Sequence, residues 1–286
     1  MIIVKLTGGI GNQLFQYAMA RRIAYINKVE LKLDISEYDK PNPIAKRVYH
    51  LFVFKIRAST ASYKEISLMK TRNNLFFDFI RPYYKRKIVK EKSFFFDPKI
   101  LLIKDPVYIS GYWQSEKYFS DIKEIIQREI QLKQKFQNEL IRTREYHQII
   151  NSSSVSIHIR RGDYVSHPAI NKRFGVCNLD YYYEAVKQII RFINNPTFYI
   201  FSDDIEWAKS NIKLNYPTYF LEKNKDYIDL ILMNKCQANI ITNSTFSWWA
   251  AWLNKNPQKK VIIPKNWFKD KTIITKDLIP KTWIRI

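Results

Sequence analysis

The sequence predicts an α/β protein made of two halves with a cleft between them. Three observations carry that prediction. The chain opens on a strand, a glycine-rich turn and a helix, in that order. After Asn151-Ser-Ser-Ser, apolar strand-like runs alternate with helical segments. Such alternation implies a parallel sheet covered on both faces. The serine run is the best domain boundary, which puts residues 1–150 in an N-terminal half and 151–286 in a C-terminal half.

Residues 2–6 read as the first strand and 13–28 as the first helix, with Gly8, Gly9 and Gly11 in the loop between them. Residues 29–35 alternate apolar and polar, the period of a second strand. The stretch 36–106 has aromatics and scattered prolines without a clean period, so only short helices and loops are expected there. Residues 107–110 form a strand. From 116 to 148 the pattern is helical, with Ile122, Ile125, Ile126 and Ile130 on one face. The second half should carry strands at 154–160, 197–202, 238–242 and 260–263. Helices are expected at 180–193, 204–212, 226–237 and 245–254.

Hydrophobic residues make up 46% of the 286, enough for a sizeable core. Only Cys177 and Cys236 are present, with no CxxC pair, which fits a reducing compartment and gives no structural zinc site. The first residues run straight into a strand, unlike a signal peptide, and no apolar run approaches the ~20 residues of a membrane span. The expectation is a cytoplasmic protein, in peripheral contact with the cytoplasmic face of the inner membrane. Asn151-Ser-Ser and Asn243-Ser-Thr match glycosylation sequons and are read as coincidences of composition.

The net charge of +22 attracts polyanions: nucleic acid, anionic lipid or phosphorylated ligands. A nucleic-acid-binding protein would need a contiguous basic face with aromatics placed for stacking. The densest basic stretch, 70–92, holds eight basic and two acidic residues, with Phe76, Phe77, Phe79, Tyr83 and Tyr84 among them. It reads more readily as a patch resting on anionic membrane. No nucleic-acid partner is expected.

Four constellations are suited to chemistry. In Ser156-Ile-His-Ile-Arg-Arg-Gly-Asp163, strand alternation puts Val155, Ile157 and Ile159 on one face and His158 and Arg160 on the other. Ligands of open parallel sheets sit beyond the carboxyl ends of strands, so His158 and Arg160 should point at the crevice. Arg160 suits a diphosphate because its planar fork donates two parallel hydrogen bonds and stays charged. Arg161 reads as the partner of Asp163 in a structural ion pair. In Ala238–Trp252, a strand and polar turn lead into a helix that Ser244 or Thr245 would cap, an anion site or a plain cap. Trp248, Trp249 and Trp252 read as core. Gly8-Gly-Ile-Gly-Asn-Gln13 is neither a P-loop nor a dinucleotide fingerprint, yet its glycines allow a ligand close to the backbone. In Phe201-Ser-Asp-Asp-Ile-Glu-Trp207 the adjacent acids read as a helix cap plus a ligand hydrogen bond, ahead of a metal site.

In this order, these motifs resemble glycosyltransferase family 11, the bacterial α-1,2-fucosyltransferases. The matching runs are GGIGNQLFQYAMAR at 8–21, GYWQSEKYF at 111–119, HIRRGDYV at 158–165, FSDDIEW at 201–207 and ITNSTFSWWAAWL at 241–253. They span nearly the whole chain, while 36–106 matches only loosely. The His-x-Arg-Arg-x-Asp segment is also similar to one in core α-1,6- and protein O-fucosyltransferases. The resemblance implies a GT-B-like fold, two Rossmann-like halves facing a central cleft. It implies inverting transfer of L-fucose from GDP-fucose, a substrate held mainly by the second half, with no metal and no cofactor. The implied acceptor is O-2 of a galactose-containing glycan of the cell surface, such as lipopolysaccharide O-antigen. Carried over by position, Arg160 contacts the β-phosphate and His158 lies near the guanosine. Ser244, Thr245 and Phe246 line the phosphate and base pocket, and Asn12 reaches the diphosphate or fucose. Gly9, Gly11, Asp203 and Asn239 complete the donor set. Asp163 and His167 are the candidate general bases. The competing readings are a glycosyltransferase using another nucleotide sugar and a basic nucleic-acid-binding protein.

Overall fold

The computed structural model describes residues 1–39, 47–71, 78, 80–222 and 224–286. The chain divides into two units, Met1–Lys133 with Ile274–Pro280 and Gln134–Ile273 with Lys281–Ile286.

The first unit carries an all-parallel sheet of β1 (Ile2–Lys5), β2 (Leu31–Asp34), β3 (Ser59–Thr60), β4 (Ile88–Lys90) and β5 (Val107–Ser110), in the order β3-β2-β1-β5-β4. Ile2, Ile3 and Val4 are fully buried, the continuous apolar run of a strand covered on both faces. The strand order reverses beside β1, so the turn that follows it opens at a topological switch point.

The second unit repeats the plan. Its strands β6 (Ser154–Ile159), β7 (Thr197–Ser202), β8 (Thr218–Phe220), β9 (Ala238–Ile240), β10 (Val261–Ile263) and β11 (Ile284–Arg285) lie in the order β11-β10-β9-β6-β7-β8, all parallel. The order reverses between β6 and β9. Val155, Ile157 and Ile159 enter one core with Phe198, Ile200, Ala185 and Ile240, as their alternation predicts. Trp248, Trp249 and Trp252 are buried and pack ring against ring, so they are core.

Several elements differ from expectation. The first helix starts at Ile10, so Gly11 and Asn12 sit in its first turn and not in the loop. The 116–148 pattern is broken into short pieces, including the helices Lys123–Glu129, Gln134–Ile141 and Arg144–Ile150. Residues 131–133 leave the helix because their backbone bonds to Val53 and Lys55, and Thr143 caps the next helix by accepting the Tyr146 N–H. Residues 134–150 cluster with the second unit. There Glu139 bonds Lys225 and Tyr227, beside the start of the helix Asp226–Lys235. The 36–106 stretch contributes two edge strands, β3 and β4. Of the basic 70–92 segment, residues 72–77 and 79 lie outside the described residues. No helix among the described residues is long and apolar enough to cross a membrane.

Candidate active site

Arg160 and Arg161 follow directly on β6, at its carboxyl end. The Arg160 guanidinium is held by two carboxylates, Nη2 by Asp163 and Nη1 by Asp203 at 2.9 Å. Burial works against its charge, and the Asp203 and Asp163 carboxylates outweigh that, so its pKa is raised. Its side chain keeps 23% of its surface exposed. The expected Arg161–Asp163 pair is therefore corrected. Arg161 pairs with Asp204 at 3.0 Å and lies over the Trp207 ring, 3.9 Å from its centroid. The correction follows from register: β7 lies beside β6, with Ile159 opposite Ser202, so both acids after β7 stand beside both arginines.

Asp203 does two jobs. Its Oδ2 faces Arg160 and its Oδ1 accepts the backbone N–H of Arg161 at 2.8 Å. A Cβ on Gly162 would fall 2.5 Å from that Oδ2, so glycine lets the chain pass this carboxylate. Asp204 accepts the Trp207 N–H and caps the helix Ile205–Asn211. Among the described residues, no group of three or more His, Cys, Asp or Glu side chains is placed to hold a metal ion.

His158 is buried beside Thr242, whose Oγ1 is 3.1 Å from Nδ1, and 5.4 Å from the Phe246 ring. Burial, helped by the Arg160 charge, pushes its pKa down to about 3. The imidazole is therefore neutral. Ser244 caps the helix Thr245–Leu253 with its Oγ toward the Phe246 N–H. His158, Thr242, Ser244 and Phe246 thus gather at the carboxyl ends of β6 and β9. His167 stands between the helices Gly162–Ser166 and Pro168–Phe174, and its buried Nδ1 has no hydrogen-bond partner among the described residues.

Asn239 is a correction. It lies within β9, fully buried, and its amide bonds Ser156, the Met233 carbonyl and Asn254. That makes it a core cross-link, with no atom left for a ligand. The sequon residue Asn243 is likewise buried, its Nδ2 donating to the carbonyls of Phe174 and Trp267.

In the first unit Gly8 adopts φ +77° and Gly9 precedes the helix Ile10–Asn27 with no side-chain cap. The first backbone N–H groups of that helix have no intrahelical partner. Asn12 accepts a hydrogen bond from Gln114 at 3.0 Å.

The model of glycosyl transferase family 11 matches residues 1–286. The chain belongs to glycosyltransferase family 11. It is 34% identical to the O-antigen biosynthesis glycosyltransferase WbnK of Escherichia coli, over 98% of this chain and 99% of that one. It is 31% identical to an α-1,2-colitosyltransferase of Escherichia coli, over 100% and 99% of the two. In structure it resembles the α-1,6-fucosyltransferase NodZ from Bradyrhizobium soaked with GDP-fucose. The TM-score is 0.53 at 14% identity, over 88% of this chain and 92% of that one. That likeness gives the family 11 enzyme a GT-B-like fold.

Two further residues of the Gly8–Arg21 run shape the glycine turn of the family 11 enzyme. Gln13 and Gln16 are fully buried. Gln13 donates to the carbonyls of Gly8 and Val48 and accepts the His50 N–H. Gln16 accepts the Thr7 N–H and donates to the Gly111 carbonyl. They buckle the glycine turn to the rest of the unit. Their signal was two amides, three apart, on a helix otherwise apolar or small on that face.

Proposed function

We propose that this family 11 enzyme transfers L-fucose from GDP-β-L-fucose to O-2 of a galactoside, with inversion and without a metal ion, in the synthesis of a surface glycan. The observation that carries the reading is Arg160, a half-buried cation at the end of the central strand. Two carboxylates orient it, yet it is exposed enough to present its remaining N–H groups to a β-phosphate. As the bond from fucosyl C1 to the β-phosphate oxygen breaks, its electron pair stays on GDP, and Arg160 stabilises that charge. The capped helix start at Ser244 adds fixed donors, the kind of preorganised stabilisation that counts most in catalysis. Asn12, by its place in the family pattern, is read as a further donor ligand. The acceptor oxygen attacks the oxocarbenium-like carbon from the opposite face and loses its proton to a base. Asp163 already holds Arg160, which favours His167 as that base. Neutral His158 and Phe246 frame the guanosine end.

The test is an acceptor screen with GDP-fucose and linkage analysis of the product, run with and without EDTA. Arg160→Ala should abolish transfer in a folded protein; near-normal activity would remove the phosphate role. Transfer from GDP-colitose and not GDP-fucose would move the enzyme to the donor class named for its colitosyltransferase relative. We also propose that the basic 70–92 segment rests on anionic lipid, where Ile80 is 68% exposed beside Arg81. Failure to pellet with anionic vesicles at low salt would discard that contact.

A further inference from the structure

We infer that Gln114 is a positioning residue of the donor site: it sets which end of the Asn12 amide faces the Gly8–Gly9 turn. The inference rests on Asn12 being a donor ligand, as proposed above.

A side-chain amide has a donor end and an acceptor end of nearly equal size. Packing alone does not choose between them. Diphosphate oxygens only accept, so only the N–H end of Asn12 is productive toward GDP. Gln114 Nε2 donates to Asn12 Oδ1 at 3.0 Å, which makes the end facing Gln114 the acceptor. The other end, Nδ2, then lies against the glycine turn, 2.5 Å from where a Gly8 Cβ would stand. The glycine at position 8 makes room for it.

Gln114 is itself held by an unusual turn. Gly111, Tyr112 and Trp113 precede it, and Trp113 adopts φ +57°, a left-handed conformation rare for a bulky residue. Glu91, one residue beyond β4, accepts the N–H of Tyr112 at 2.6 Å and of Trp113 at 2.9 Å. A Cβ on Gly111 would fall 2.3 Å from the Glu91 Cβ. The Gly111 carbonyl accepts from Gln16, on the same helix as Asn12. The Trp113 indole is buried, edge-on to Tyr118 at 5.7 Å. Backbone in such a conformation persists where its surroundings over-determine it, and it clusters at functional sites. Here the over-determination delivers one amide to Asn12. The Gly-Tyr-Trp-Gln run thereby acquires a physical role in this chain.

Gln114→Glu tests the idea because it keeps the shape and reverses the demand. A carboxylate only accepts, so Asn12 must turn Nδ2 toward it and present Oδ1 to the turn. GDP binding, measured by calorimetry, should weaken by about 10–100-fold, the loss of one charge-assisted hydrogen bond. The melting temperature should hold. Gln114→Ala, a gentler variant, should weaken GDP binding by a smaller factor. In an Asn12→Ala background Gln114→Ala should add nothing further, while Gln114→Glu keeps only the repulsion of its new charge for the diphosphate. If Gln114→Ala still weakens GDP binding in that background, Gln114 does not act through Asn12 and the inference fails. If Asn12→Ala weakens GDP binding but both Gln114 variants bind normally, the positioning role fails and the donor reading stands. If Asn12→Ala binds GDP normally while Arg160→Ala does not, the roles of both Asn12 and Gln114 fall and the phosphate role of Arg160 survives.

Discussion

Asp203 Oδ2 stands 2.9 Å from Arg160 Nη1. The carboxylate orients the neighbouring guanidinium. The guanidinium is therefore fixed in direction by the protein's own carboxylates. Such preorganisation is what gives a charged donor its catalytic value.

Asp203→Asn should uncouple the two. The amide keeps the size but loses the charge. We expect kcat/KM to fall about 10²-fold, with stability lowered by about 1–3 kcal/mol for the lost charged hydrogen bond. Steady-state kinetics and urea denaturation read the two effects. Unchanged kinetics would show that Arg160 is oriented by Asp163 alone.

Gly162→Ala should act on the same pair without removing either partner. The new Cβ meets Asp203 Oδ2 at 2.5 Å, so the carboxylate or the chain must shift. Overpacking of this kind costs about 1–3 kcal/mol. Transfer activity should fall with stability, and the Asp203→Asn background should relieve little of it, because the amide occupies the same space.

Glu129→Ala separates stability from chemistry. Glu129 is buried, accepts the Tyr17 hydroxyl and pairs with Arg21 at 2.9 Å. Its loss leaves Arg21 charged and unmatched, at a cost of about 3–5 kcal/mol. The denaturation midpoint should drop steeply while GDP affinity of the folded protein holds.

The buried imidazole of His158 sets an acid limit. Its folded pKa of about 3 is below the ordinary value of 6.5, so the unfolded chain binds the extra proton first. Stability from this group is complete above pH 6.5 and is lost as pH falls toward 3. The slope from this one group is at most about 1.4 kcal/mol per pH unit. His158→Gln should flatten the fall in melting temperature across that window. An unaltered slope would place the acid sensitivity elsewhere.

The strands with strong apolar runs were legible from the residues alone. Strands β1, β5, β6 and β7 fall where their apolar runs put them, and the opposite faces of β6 follow from its period of two. Burial of Trp248, Trp249 and Trp252 was equally readable. β3, β4, β8 and β11 are two or three residues long, too short to show any period. They become strands only because longer neighbours offer them an edge.

Local pattern thus determined where the longer strands run, which side of β6 carries His158, and that the aromatic helix is core. Those properties depend on residues a few positions apart, so the chain states them directly. Which carboxylate each arginine meets, that Asn239 is sealed inside, and that Gln114 meets Asn12 were decided by tertiary structure. Those partners are 43, 15 and 102 positions apart for Arg161 with Asp204, Asn239 with Asn254, and Asn12 with Gln114. Only the order of strands in each sheet and the path of a strained turn bring them within hydrogen-bond distance.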